Sequence, residues 1–164
     1  MIGRREIIVC GTAAIIWPVR LSDYTMAQAA TLPSEFYIVK SDEEWRLELT
    51  NEQYAVLRRK ETERPWTSPL NKEHRSGTYL CAGCSLPLFS SSTKFESGTG
   101  WPSFWAPIDD AIETSEDRSF LFLVRTEVHC RRCRGHLGHV FKDGPEPTGL
   151  RYCMNGVALK FVPN

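Results

Sequence analysis

The chain has 164 residues, a length that predicts one domain with a short appendage. Its 20 basic and 20 acidic residues give a formal net charge of +0, so the chain lacks the basic character expected of a nucleic-acid-binding domain. A hydrophobic fraction of 41% is ordinary for a soluble globular chain.

Residues 1–30 have the pattern of an export signal. Arg4 and Arg5 precede an apolar run, Ile7–Trp17, that is too short for a transmembrane helix but suits the central part of a signal. Ala27–Ala29 offers a small-x-small cleavage site, and the paired arginines resemble a twin-arginine signal. We therefore expect a leader and a periplasmic protein; the alternatives are an uncleaved anchor, a disordered extension and a cytoplasmic location.

The main domain is predicted over residues 34–164, and it opens with two capping boxes. Ser41-Asp42-Glu43-Glu44 predicts a short helix that runs through Leu49. Thr50-Asn51-Glu52-Gln53 repeats the signal and predicts a second helix toward Lys60. These two helices would form a short helical N-terminal arm.

After Gly77 the sequence changes to β-branched and aromatic segments, separated by glycine, proline and serine. The predicted strands are Thr78–Leu80, Phe120–Val124, Thr126–Val128, His139–Phe141 and Arg151–Val162. The pattern favours a mainly β fold built from antiparallel strands.

Four cysteines form two Cys-x-x-Cys pairs, Cys81/Cys84 and Cys130/Cys133. Zinc prefers tetrahedral thiolate ligands, and two such pairs supply four. Because the gap between the pairs is long, they would come from two separate hairpins that the metal ties together. Two disulfides or a redox-active Cys-x-x-Cys are the alternatives.

Cys153 stands apart from the pairs, in a segment that reads as a strand. Side chains alternate faces along a strand, so Arg151, Cys153 and Asn155 would share one face. A cation and an amide beside a thiol are typical of a nucleophilic cysteine, because a nearby cation stabilises the thiolate. The alternative is a buried structural cysteine.

Two further segments contain candidate site residues. His136 and His139 follow the second cysteine pair, in what we predict to be a turn that leads into a strand; they are candidates for catalysis, zinc ligation or ordinary surface positions. The loop Phe95–Phe104 contains Trp101, which belongs either to the core or to an aromatic wall for a methyl or thioether group.

Together these motifs resemble the methionine sulfoxide reductase B family, over about Ser34–Pro163. The resemblance rests on the two cysteine pairs, FESGTGWPSF, RGHLGHVF and RYCMN, which occur in the family's order. It implies a fold of two antiparallel sheets, of the β-tent, Mss4-like kind, with a structural zinc (Zn2+) on Cys81, Cys84, Cys130 and Cys133. It also implies reduction of the R epimer of methionine sulfoxide, which would repair oxidised proteins.

The same resemblance implies roles for single residues. Catalytic roles fall to Cys153, His136, His139, Asn155 and Arg151, and substrate binding to Trp101 and Phe141. In this scheme Cys153 is the nucleophile and Arg151 supports its thiolate. Trp101 lines the pocket for the substrate methyl group. The two histidines and the asparagine organise the sulfoxide oxygen and its water.

The expected chemistry leaves Cys153 as a sulfenic acid, which an external thiol must reduce. Many family members have a resolving cysteine where this chain has Thr99, so the chain resembles the single-cysteine subclass. Its expected partners are an oxidised protein or peptide and a thioredoxin-like, glutaredoxin-like or other thiol reductant, with no nucleic acid, and the chain is expected to be a monomer. A non-catalytic zinc-stabilised binding module and a disulfide oxidoreductase remain as alternatives.

Overall fold

The computed structural model describes residues 36–120 and 123–164. The predicted leader at residues 1–30 and the first residues of the predicted domain lie outside this part of the chain, so both assignments stay predictions. Within the described ranges, no helix has the length and apolar character that crossing a membrane requires.

Both predicted helices are confirmed, as α1 (Asp42–Glu48) and α2 (Asn51–Arg59). Each begins at a complete capping box, in which the side chain before the helix accepts a backbone N–H and the third helical residue returns the bond. At α2, for example, Thr50 Oγ1 accepts from Gln53 N and Gln53 Oε1 accepts from Thr50 N. These reciprocal bonds satisfy backbone donors that a helix start leaves open.

The described residues contain nine strands in two sheets. Their bounds are β1 Gly77–Cys81, β2 Pro87–Ser90, β3 Lys94–Phe95, β4 Ser103–Phe104, β5 Ile112–Phe120, β6 Leu123–Cys130, β7 His136–Phe141, β8 Arg151–Met154 and β9 Leu159–Pro163. One sheet has the order β2-β1-β9 and the other the order β3-β4-β8-β7-β6-β5. Neighbouring strands pair antiparallel throughout. The predicted fold class of two antiparallel sheets with a short helical arm is confirmed.

Two of the predicted strands are wrong in their bounds. Phe120–Val124 is not one strand, because it includes the end of β5 and the start of β6. Arg151–Val162 is also broken, at Asn155 and the 3-10 helix Gly156–Ala158, where the chain leaves one sheet for the other. The break has a physical cause: the carboxylate of Glu63 accepts hydrogen bonds from Gly156 N and Val157 N, at 2.6 and 3.3 Å.

An aromatic cluster joins the two sheets. Phe104 of β4 is fully buried, and its ring stacks on that of Phe89 in β2, with a centroid distance of 4.4 Å. Tyr79 of β1 meets the same Phe104 ring edge-on at 4.9 Å. Since β1 and β2 belong to one sheet and β4 to the other, the core lies between the sheets. Phe104 ends the loop that contains Thr99 and Trp101, so this packing also anchors that loop.

The register of the larger sheet sets the neighbours of Cys153. In β8, Cys153 pairs with Ser103 of β4 on one side and with His139 of β7 on the other. His139 pairs in turn with Glu127 of β6. Directly opposed residues in an antiparallel pair have Cβ atoms about 5 Å apart on one face of the sheet. The sheet therefore lines up a hydroxyl, a thiol, an imidazole and a carboxylate in one row.

Candidate active site and metal-ligating cluster

Cys81, Cys84, Cys130 and Cys133 form one cluster, in which all four Sγ atoms lie within 4.8 Å of one another. The Sγ atoms of Cys81 and Cys133 are 3.6 Å apart and those of Cys84 and Cys130 are 3.5 Å apart. These distances are far longer than a disulfide bond of about 2.05 Å. They approach the edge of a tetrahedron whose Zn–S bonds are about 2.3 Å, which is about 3.8 Å. The cysteines are free, and the cluster could hold a metal ion.

The two halves of the cluster have the same backbone geometry. Cys81 ends β1 and Cys130 ends β6, so each pair follows a strand in a different sheet. In each turn the carbonyl of the first cysteine accepts the N–H of the residue four positions later, Ser85 or Arg134. Both of those residues have a left-handed backbone conformation, with φ of 57° and 60°. The prediction of two separate hairpins is confirmed.

The thiols of this cluster influence one another's pKa values. The hydrogen bond with Cys130 lowers the pKa of the Cys84 thiol and raises the pKa of the Cys81 thiol. Two buried neighbouring thiols cannot both ionise easily, because the second negative charge is repelled by the first. A bound cation removes this conflict, so the donor set fits a thiolate-bound metal.

Cys153 lies half-buried at the middle of the larger sheet. Its Sγ is 3.7 Å from the Thr99 hydroxyl. That hydroxyl is 2.8 Å from Ser97 Oγ, which is 2.7 Å from Ser103 Oγ. A chain of hydroxyl groups therefore runs from the buried Ser103 to the thiol. The sequence did not reveal Ser97 and Ser103 as part of the site, because two serines in a loop carry no signal of their own.

Arg151 lies next to Cys153 on β8 and has a carboxylate partner that the sequence analysis missed. Its Nε and Nη2 donate to Asp143, at 2.9 and 2.8 Å, and its guanidinium lies 4.4 Å from the centre of the Phe141 ring. These bonds with Asp143 raise the pKa of Arg151, and the Cys153 thiol contributes in the same direction. Of the predicted row Arg151, Cys153 and Asn155, the first two lie in β8, whereas Asn155 follows the end of that strand.

The His136 ring is oriented by the buried carboxylate of Glu127. Its Nδ1 is 2.9 Å from Glu127 Oε1, and Lys60 Nζ from the end of α2 is 2.8 Å from the other oxygen. Glu127 is 4% exposed and His136 is 3% exposed. His136 begins β7, so the turn predicted here is wrong. Its backbone already pairs with β6, which is the reason for the strand.

His139 is oriented by a second carboxylate. Its Nε2 is 2.8 Å from Asp117 Oδ2, and Arg125 Nη2 is 2.6 Å from the same oxygen. Hydrogen bonds from Ser119, and then those with His139 and Arg125, hold the pKa of Asp117 well below its usual range. The rings of His136 and His139 meet edge-on with centroids 5.4 Å apart.

Burial lowers the pKa of both histidines, although the nearby carboxylates act in the opposite direction. The His136 Nε2 atom is buried and has no hydrogen-bond partner, which is unusual for a polar atom inside a protein. In the described residues the group placed to hold a metal consists of the four cysteines, so the zinc-ligand alternative for the histidines gains no support.

The side chains of Trp101 and Asn155 both form hydrogen bonds with the backbone of Glu63. The Trp101 Nε1 donates to the Glu63 carbonyl at 2.9 Å. The Asn155 Oδ1 accepts from Glu63 N at 2.9 Å, and its Nδ2 donates to the Leu137 carbonyl at 3.0 Å. Asn155 is 3% exposed, so its amide holds the backbone of Glu63 and Leu137 in place. Glu63 was not predicted, because its partners lie far away in the sequence.

Known proteins resemble this chain over most of its length. The model of the SelR domain family matches residues 49–163. The chain is 52% identical over 139 residues to the peptide methionine sulfoxide reductase MsrB of Bradyrhizobium diazoefficiens. The aligned region is 84% of this chain and 99% of that protein. It is 57% identical over 126 residues to the protein of the same name from Pseudomonas putida, which covers 77% of this chain and 95% of that protein. A third protein of this name, from Methanosarcina mazei, is 58% identical over 126 residues, which are 76% of this chain and 89% of that protein.

The lowered pKa values of the two histidines predict a loss of stability in acid. The ordinary histidine pKa is 6.5, and a lower value in the folded state means that the unfolded state binds more protons below that pH. The free energy of unfolding should therefore fall as the pH drops below 6.5 toward the folded pKa values. Urea denaturation at a series of pH values measures this slope.

In the variant His136→Gln, the free energy of unfolding should depend less on pH between roughly pH 7.5 and pH 5. This range brackets the ordinary histidine titration. His74→Gln, at an exposed position, is the matched control and should keep the wild-type slope. Equal slopes for the wild-type protein and His136→Gln would show that His136 does not titrate on unfolding.

Proposed function

The chain belongs to the methionine sulfoxide reductase B family, and we propose on this premise that it reduces the R epimer of methionine sulfoxide in oxidised proteins and peptides. It is a methionine sulfoxide reductase; the epimer, the substrate form and the intermediate are the proposed details. The observation that carries the proposal is the position of Cys153. This half-buried thiol lies opposite His139 in the sheet, beside Arg151 and within 3.7 Å of Thr99.

The first step needs a nucleophile and a proton donor. A sulfoxide sulfur becomes electrophilic when its oxygen is protonated or strongly hydrogen-bonded, and imidazole is suited to this near neutral pH. His139 is the proposed donor, because the sheet register places it directly across from Cys153. Asp117 positions its ring and would stabilise the imidazolium before it gives up the proton, while Arg125 holds the Asp117 carboxylate in place.

An oxygen equivalent is then transferred from substrate to enzyme. The Cys153 sulfur attacks the protonated sulfoxide and forms an S–S bond, and the S–O bond breaks as the oxygen leaves as water. A water molecule then attacks the Cys153 sulfur and loses a proton, the S–S bond breaks, and methionine and a Cys153 sulfenic acid result, so that one oxygen passes from the sulfoxide to the thiol overall. Two equivalents of an external thiol restore Cys153 and release a disulfide and water. The positive charge of Arg151, held by Asp143, would favour the attacking thiolate.

The remaining site residues bind and orient the substrate in this proposal. Trp101 would provide an apolar wall for the methyl group, with its ring fixed by the bond from Nε1 to Glu63. Phe141, whose ring centroid is 6.5 Å from that of His139, would cover the adjacent side. His136, through its unpartnered Nε2, would hold the water that accompanies the sulfoxide oxygen. Asn155 would keep the Glu63 backbone in register with β7.

Zinc is the metal that we propose for the four-cysteine cluster. All ligands are thiols, and a closed set of four thiolates is typical of structural zinc. The ion would supply folding free energy by linking the two hairpins, and it would take no part in the reaction. The same arrangement leaves these cysteines unsuited to disulfide exchange.

Removing one zinc ligand should destabilise the protein. We expect Cys130→Ser to lose the metal and to melt at a much lower temperature, because a structural zinc can supply on the order of 10 kcal/mol of folding free energy. Metal content and thermal denaturation measure the effect. Ser92→Cys, at an exposed site, is a control for changes in cysteine content. A metal-free protein with an unchanged melting temperature would refute the structural role.

Replacing the nucleophile should abolish turnover. We expect Cys153→Ser to retain its fold but to reduce neither epimer, whereas the wild-type protein reduces only the R epimer with dithiothreitol. His139→Gln should lose about 10²- to 10⁴-fold in rate, the usual contribution of a general acid. His74→Gln, at an exposed position, is the control for a histidine with no assigned role. Wild-type activity in Cys153→Ser, or reduction of the S epimer alone, would contradict the proposal.

A cysteine at position 99 should trap Cys153 in a disulfide. Because the Thr99 hydroxyl is 3.7 Å from Cys153 Sγ, Thr99→Cys places a second thiol beside the sulfenic acid. After one turnover without reductant, we expect mass spectrometry to find an internal disulfide in this variant. Under the same conditions the wild-type protein should lose one thiol per chain and react with a sulfenic-acid trap.

Ser92→Cys serves again as the control, since it adds an exposed thiol away from Cys153 and should form no disulfide with it. An internal disulfide in the wild-type protein would mean that Cys153 has another thiol partner. The single-cysteine mechanism would then be wrong.

A further inference from the structure

Trp66 combines strong exposure with an uncommon backbone conformation. Its side chain is 67% exposed. Its φ is 69°, in the left-handed region that bulky residues rarely adopt. One exposed apolar side chain needs no explanation by itself. A strained residue persists only where its surroundings enforce it, and such residues concentrate at binding and catalytic sites.

One hydrogen bond to the loop of Thr99 and Trp101 holds the backbone of Trp66 in this conformation, and a second, from Asn71, fixes the same loop. The Trp66 N–H donates to the Gly100 carbonyl at 2.8 Å, and the Asn71 side chain donates to the same oxygen at 2.9 Å. The indole also lies on Gly100: a Cβ there would be 3.0 Å from Trp66 Nε1 and 2.7 Å from the Cβ of Pro65. Gly100 is buried under these two side chains, while they themselves face outward.

Gly100 connects Trp66 with the site of Cys153. It follows Thr99, whose hydroxyl is 3.7 Å from Cys153 Sγ, and it precedes Trp101 of the proposed substrate pocket. Gly98 of the same loop is exposed, and a Cβ at this position would meet no atom within 4 Å. Trp66 and Gly98 thus flank the loop that carries Thr99, one with an exposed aromatic surface and the other with open backbone.

A methionine sulfoxide side chain is short and unbranched. When its sulfur reaches Cys153, its own backbone and the neighbouring residues of an oxidised protein must lie on the surface that surrounds the site. An exposed indole is well suited to bind such a segment, because it offers a large rigid apolar surface and loses little conformational entropy.

We propose that Trp66, with the open backbone at Gly98, forms a subsite for the polypeptide that flanks the oxidised methionine, and that it favours an apolar residue there. This subsite rests on the proposed function, since it supplements binding at Cys153. It makes Trp66 a specificity-determining residue that does not touch the reacting atoms.

The test compares two substrates with dithiothreitol as reductant. One is N-acetyl-methionine (R)-sulfoxide N-methylamide, which has no neighbouring residues, and the other is a pentapeptide with leucines on both sides of the same sulfoxide. For Trp66→Ala we expect the ratio of kcat/KM for the pentapeptide to that for the small amide to fall about tenfold, which is the usual effect of truncating an aromatic anchor. The fall should come mainly from a higher KM.

Three further variants separate the side chain from the backbone strain and from exposure in general. Trp66→Phe keeps an aromatic surface and should keep most of the wild-type ratio. Trp66→Gly removes the indole but accepts the left-handed φ, so it should behave like Trp66→Ala. Leu47→Ala changes an exposed apolar residue on α1, 87% exposed, and should leave the ratio unchanged.

The outcomes are distinct. If Trp66→Ala keeps the wild-type ratio, the subsite is overturned. This holds when kcat/KM is unchanged for both substrates, and also when it is reduced equally for both. An equal reduction would mean that Trp66 only holds the loop of Gly100. A wild-type ratio in Trp66→Gly overturns the subsite as well, because the side chain would then be dispensable. If the wild-type protein reduces neither substrate, the proposed function itself fails.

Discussion

The four-cysteine cluster is the constraint on which the rest of the structure depends. It joins the turn after β1, in the smaller sheet, to the turn after β6, in the larger one. The two turns repeat one backbone geometry, with a left-handed residue after each pair. Cys133 lies three residues before His136, so whatever holds the cluster together also fixes where β7 begins. The position of β7 then determines which side chains face Cys153 across the sheet.

The second organising feature is a pair of carboxylates, Glu127 and Asp117, that are shielded from solvent and contact the two histidines. Glu127 is almost fully buried, yet it has both Lys60 and His136 as partners. Desolvation acts to raise the pKa of Glu127, but these partners act against it, and the net pKa is lowered. A buried carboxylate with two partners orients an imidazole firmly, because moving the ring away would leave one carboxylate oxygen without a hydrogen bond in a region of low dielectric constant. The arrangement of Asp117, Arg125 and His139 applies the same principle nearer to the surface.

The sequence predicted the features whose signals are local. The two capping boxes, the cysteine pairs and the alternation of Arg151 and Cys153 each depend on residues within a few positions of one another. Strand β5 gave no such signal: IETSEDRSF carries charges on both faces, most of its side chains are exposed, and it is the edge strand of its sheet. The partners Glu63, Asp117, Glu127 and Asp143 were missed for a related reason. A carboxylate that pairs with a distant residue looks, in a sequence, like any other charged surface residue.

The Glu63 segment shows how much of the site depends on backbone without regular secondary structure. Its N–H, its carbonyl and its carboxylate have three different sets of partners, on Asn155, on Trp101 and on the turn at Gly156. One residue therefore holds the proposed pocket wall, the end of β8 and the start of the connection to β9. Trp66 lies three residues further along, with its N–H on Gly100. Trp101 and Trp66 are thus both attached to this short segment, Trp101 through the Glu63 carbonyl and Trp66 through the chain itself. A peptide bound at the proposed subsite on Trp66 would therefore lie three residues along the chain from the carbonyl that fixes Trp101, the proposed pocket wall.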